Sequence, residues 1–111
     1  NYDIICNRAN KKNGGNEIMN AYTEPYKDLT KNAIDIAQDL KSLREEALAI
    51  NYYNQRINTC TDESLKQIFI HNRDEEIEHA SMLMGWLKLY DNGWEKQLKN
   101  FVTDAKVTDV Q

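Results

Sequence analysis

Proline occurs once and glycine four times in 111 residues, too few breaks for a turn-rich all-β chain and far too few for a collagen-like or low-complexity one. No run approaches the roughly 20 apolar residues that cross a bilayer, and the N-terminal stretch lacks the charged-then-apolar layout of a secretory signal. The expected setting is therefore cytoplasmic, with no membrane partner. Cys6 and Cys60 are the only cysteines, one in a polar terminal stretch and one near a helix end. A disulfide framework or a thiolate zinc site is unsupported, and both read as free thiols. Excess positive charge is also missing: 14 basic against 18 acidic side chains leave a net charge of −4, the wrong sign for a phosphate backbone, so nucleic acid is not an expected partner.

What is present is 29% charged and 41% apolar residues in a chain the length of one small domain. A chain of that size buries only about 60 to 70% of its unfolded surface on folding. Residues 1–20 are polar, interrupted by Gly14-Gly15, and read as a tail. Gly14-Gly15 before Asn16, Glu17, Ile18 and Met19 also fits a translated ribosome-binding stretch with Met19 as the start. The expected organisation is an N-terminal tail over 1–21, a helical hairpin domain over 22–104 and a C-terminal tail over 105–111.

After Glu24-Pro25, where proline suits a first helical turn, neither glycine nor proline recurs until Gly85. Leu29, Ala33, Ile36, Leu40, Leu43, Ala47 and Ile50 step by four and three, the seam of a helix packed along its length on another, and Ile57 resumes the stripe. The pattern lapses at Asn58-Thr59-Cys60-Thr61-Asp62, where Thr61 or Asp62 can cap a second helix running from about 63 to 90. Its stripe is Leu65, Phe69, Asn72, Glu76, His79, Leu83, Trp86 and Tyr90. Gly93 is suited to a left-handed cap at its end, and residues 94–101 fit a short third helix.

Two helices of about 30 residues, each roughly 45 Å long, can pair but cannot enclose a core. A second copy related by a two-fold axis would turn two hairpins into a four-helix bundle, so a homodimer is expected on apolar area alone.

Three polar residues in the middle of an apolar seam need a reason. A buried carboxylate pairs, neutralises or binds a metal. Glu76 and His79, three apart, share one helix face, and Glu-x-x-His is the spacing of di-iron and di-manganese bundles, completed by a lone Glu from each remaining helix. Glu45 and Glu46 are the candidates, and Glu46, three after Leu43 and four before Ile50, faces inward. One Glu and one Glu-x-x-His make half of a four-carboxylate, two-histidine set, so ligand count asks for the same dimer. Such ligands suit Fe(II), Mn(II) or Zn(II). Iron pairs between them would support ferroxidase chemistry, with Tyr53, two turns beyond Glu46, beside the metals. The competing readings are a structural zinc or manganese site that only joins the dimer, and an acidic hairpin whose run Arg73-Asp74-Glu75-Glu76 is a solvated face. His71 reads as a surface or structural residue, and Tyr52, Met82, Met84, Trp86, Tyr90 and Trp94 as packing.

From Tyr22-Thr23-Glu24-Pro25, through Glu45-Glu46 and Asn51-Tyr52-Tyr53-Asn54-Gln55-Arg56, to the run HNRDEEIEHA over 71–80, Trp86-Leu87 and Phe101-Val102-Thr103-Asp104, the chain closely resembles the encapsulated ferritins. The resemblance implies a two-helix protomer whose dimer rebuilds an all-α ferritin-like bundle. It implies two irons per dimer interface, bound by Glu46, Glu76 and His79 of both chains, with zinc, manganese or calcium able to take their place. It further implies an annular decamer of five dimers that oxidises Fe(II) inside a bacterial or archaeal encapsulin nanocompartment, with the encapsulin shell protein as partner. Tyr53 matches a tyrosine near the metals and Glu45 an acid of an outer metal-attraction site. Leu48 stands where a further outer acid is expected, and Tyr52 replaces the usual tryptophan. Residues 107–111 hold no recognisable encapsulin-targeting peptide, as expected of a truncated chain.

Overall fold

Thr30 starts the first long helix. Its backbone is extended, and its hydroxyl accepts the Ala33 amide hydrogen at 3.1 Å, which satisfies one of the amides that a helix start leaves open. Helix α1 then runs unbroken over Lys31–Thr59. Pro25 lies outside it and introduces a single 3-10 turn, Tyr26–Asp28, closed by the Asp28 amide on the Pro25 carbonyl. The computed structural model describes residues 21–104. Cys6, Gly14-Gly15, Met19 and the expected tails lie outside the described residues, apart from Ala21.

Helix α2, Glu63–Tyr90, follows after a short turn and is capped by Asp62. Its carboxylate accepts from the Leu65 amide at 2.8 Å and from the Ser64 hydroxyl at 2.6 Å. Those bonds, Ser64 first, hold Asp62 below the usual carboxylate range. Cys60, a free thiol at the end of α1, points its Sγ at the Asp62 carbonyl, 3.4 Å away.

Helix α2 ends at Tyr90, as expected, but Gly93 does not cap it. Asp91 is extended, and its side chain accepts from the Gly93 amide at 3.0 Å, which caps a further helix α3, Asn92–Leu98. Gly93 therefore sits in the first turn of α3 instead of a left-handed cap. The short third helix begins two residues earlier than 94 and loosens into a π-type turn, Lys99–Thr103.

Helices α1 and α2 pack antiparallel. Asn72 Nδ2 donates to the Tyr53 hydroxyl at 3.5 Å, Arg73 donates to Asn54 at 3.4 Å, and the Tyr53 and Phe69 rings meet with centroids 6.1 Å apart. The face that α1 buries is Asp39, Glu46, Ala49 and Tyr53. This corrects the expected seam: Leu40 is 40% exposed and Ala47 is exposed, so the apolar stripe lies on the flank of the hairpin. The stripe expected on α2 is corrected at its ends as well. Leu65 and Tyr90 are exposed, and Leu87, outside that stripe, is fully buried.

Among the described residues, Ala49, Tyr53 and Leu87 are the buried apolar side chains. Large apolar groups remain in water, including Ile68, Met82 and Leu89 at 55%, 65% and 76% exposure. At about 25 cal/mol per Å² that surface is a strong incentive for association. The described residues contain helices and turns and no strand, and none of the helices is long and apolar enough to cross a membrane.

Candidate metal centre

Helix periodicity and the antiparallel pairing bring three side chains together midway along the hairpin. Glu76 and His79 share a face of α2, and Glu46 faces them from α1. One ligand atom of each lies within 4.8 Å of the other two. His79 Nδ1 is 3.5 Å from Glu76 Oε2 and 3.6 Å from Glu46 Oε2. Among the described residues no other trio of His, Cys, Asp or Glu converges so closely.

The two carboxylates are shielded while the imidazole is half open. Side-chain exposure is 11% for Glu46, 16% for Glu76 and 48% for His79. Glu46 Oε2 and Glu76 Oε2 are buried without a hydrogen-bond partner in the chain, a costly arrangement for a polar group out of water. Burial first, and the neighbouring Glu76 carboxyl second, push Glu46 up to about 7, against the opposing pull of His79. Two orphaned carboxylate oxygens facing an imidazole nitrogen are a donor set for a divalent cation, which would remove the repulsion that raises Glu46. A cation held by these three side chains would have only three donors from one hairpin, and the exposed side of His79 is where further donors could approach.

The other expected residues fall as follows. Tyr53 is buried two turns beyond Glu46, takes a hydrogen bond from Asn72, and has the Arg56 guanidinium 5.3 Å above its ring. Glu45 lies outside the trio, 4.0 Å from Lys41 Nζ. His71 is exposed and pairs with Glu75, and Arg73 pairs with Asp74 at 3.1 Å. Trp86 stacks on Tyr90.

One residue escaped the sequence reading. Asp39 is 8% exposed, its Oδ1 has no hydrogen-bond partner, and burial raises its carboxyl above the usual range. With Glu46, His79, Met82, Leu83 and Trp86 it lines an open groove of about 690 Å³. The signal was available: Asp35, Asp39, Ser42 and Glu46 step by four, three and four, a polar stripe beside the apolar one.

An all-α hairpin carrying a convergent Glu, Glu, His cluster that could hold a metal ion has the form of a ferritin-like protein. The chain belongs to the EncFtn-like family, whose match spans residues 21–105. It is 42% identical over 95 residues to a ferritin-like protein of Thermotoga maritima, covering 85% of this chain and 83% of that one. It is 34% identical over 96 residues to an encapsulated ferritin-like protein of Rhodospirillum rubrum, covering 86% and 69%. The crystal structure of protein ne0167 from Nitrosomonas europaea superposes with a TM-score of 0.71 at 44% identity, over 75% of this chain and 91% of that one.

Proposed function

We propose that this protein is a ferroxidase that oxidises Fe(II) at a site shared between two copies of the chain. The observation that carries the reading is the pair of orphaned oxygens, Glu46 Oε2 and Glu76 Oε2, converging on His79 from the shielded side of a half-open cluster. Two copies related by a two-fold axis would bring four carboxylates and two imidazoles together, enough for two Fe(II) ions as substrate. Glu46 and Glu76 would bridge or chelate, and His79 would hold each iron. Anionic ligands favour Fe(III) over Fe(II), so the ligand set lowers the cost of electron loss. Each of two Fe(II) ions gives up one electron, and dioxygen accepts both electrons with two protons to leave as hydrogen peroxide. Tyr53, two turns along the same face from Glu46, would stand beside the metals, and Glu45, beside Lys41, would attract cations outside the centre.

The working unit in this reading is residues 22–104, assembled as a homodimer and further into an annular decamer of five dimers. Family membership and the name of the Rhodospirillum rubrum relative support a place inside an encapsulin nanocompartment, with the shell protein as partner and Fe(III) passing on to mineral.

The test is the rise of ferric absorbance after air reaches Fe(II)-loaded protein. Glu76→Ala and His79→Ala should each slow it at least tenfold. Oxidation at the parental rate by either variant contradicts the assignment. Tight metal binding without any oxidation by the parent would identify a structural zinc or manganese site instead.

A further inference from the structure

Asp39 is a buried carboxylate that the three-ligand cluster does not use. It stands seven residues before Glu46 on the same face of α1, about 10.5 Å along the axis at 1.5 Å per residue, too far to join that cluster directly. The wall that α2 sets opposite is Met82, Leu83 and Trp86, and no donor on it, the Trp86 indole N–H included, bonds to Asp39, whose Oδ1 is left without a partner. Neighbouring oxygens come from α1 itself. Ser42 lies one turn on, Gln38 is adjacent, and Asp35 lies one turn back, where its Oδ2 already meets Lys31 Nζ at 2.8 Å. All line the groove that continues to Glu46 and His79.

A carboxylate oxygen removed from water and left without a hydrogen bond calls for a positive partner or a proton. We propose that Asp39 anchors a second divalent-cation site in this groove, separate from the Glu46, Glu76 and His79 cluster. One carboxylate with neutral hydroxyl and amide oxygens is a hard, all-oxygen donor set. It suits Mg(II), Ca(II), Mn(II) or Fe(II) with water completing the shell, and disfavours ions that prefer imidazole or thiolate. Because only one full carboxylate contributes, the site is the weaker of the two. It would hold a hydrated cation within the groove that reaches the stronger cluster.

The site can be counted with Mn(II) on the full chain, using electron paramagnetic resonance of the free ion during titration. The parent should show two classes of bound Mn(II). Removing the cluster with Glu76→Ala plus His79→Ala should leave one weak class of about one ion per chain. Asp39→Asn should remove that class from both backgrounds while the parental strong class persists. If the cluster variant fails to fold, Asp39→Asn against the parent alone decides. An unchanged Mn(II) count in Asp39→Asn overturns the proposal, as does a variant that loses dimer mass while keeping every bound ion, since Asp39 would then be satisfied by the second copy. A parent that binds the weak class but oxidises no Fe(II) contradicts the ferroxidase reading and leaves this site standing.

Discussion

Glu46 sets the chemistry of the centre at the scale of one residue. Its carboxyl moves from 4.5 unfolded to about 7 in the folded chain. Between those values the native chain keeps a proton that the unfolded chain has lost, so the metal-free protein becomes less stable as pH rises through that window and levels off above it. Glu46→Gln should flatten that slope in urea midpoints measured across the window, and an unaltered slope would place the titration elsewhere. A cation must displace the same proton, so Mn(II) affinity should rise with pH up to about 7 and Mn(II) uptake should release protons. The convergence of Glu76 and His79 could be anticipated because their three-residue spacing fixes a shared face whatever the flanking sequence, whereas the burial expected of His79 was not found, its side chain being 48% exposed. Asp39 was passed over because its stripe is polar, and a search for apolar periodicity does not see it.

At the scale of elements, capping side chains decide where each helix begins. The start of α2 was legible because Asp62 stands at a lapse in the periodicity and only a short side-chain acceptor is needed there. The start of α1 was not, since Pro25 is the louder signal and Thr30 the effective one. Thr30→Ala should lower stability by about 1 kcal/mol in chemical denaturation, and Thr30→Ser should restore most of it. Equal stability of all three would show that another group satisfies the Ala33 amide. The apolar stripe of α1 has sound helical spacing, yet α2 meets the face one residue away, where Asp39, Glu46, Ala49 and Tyr53 lie. Spacing reports that a stripe is apolar and is silent about which partner covers it. The end of α2 at Tyr90 was legible and the place of Gly93 was not: Asp91 serves both helices, and its carboxylate fixes Gly93 in the next one.

At the scale of the whole molecule, the described residues form an open hairpin, with the cluster beside exposed apolar side chains. Met82, 65% exposed and one turn from His79, lies in the same groove as the cluster. Met82→Lys should therefore shift the protein toward single chains in light scattering and, with them, slow iron oxidation. A variant that stays fully associated would place the interface on another face. The long helices and their antiparallel pairing were readable because the chain holds almost no breaks, and the faces they pack were not. The second copy was inferred from uncovered area, which is a shortage and carries no geometry.

Whether the site is shared is the central claim, and anaerobic native mass spectrometry of Fe(II)-loaded protein tests it most directly. Iron should appear in pairs on dimers and their multiples, with single chains in the same spray carrying none tightly. Single chains that hold Fe(II) as firmly as dimers do would contradict the shared centre and leave a site complete within one hairpin.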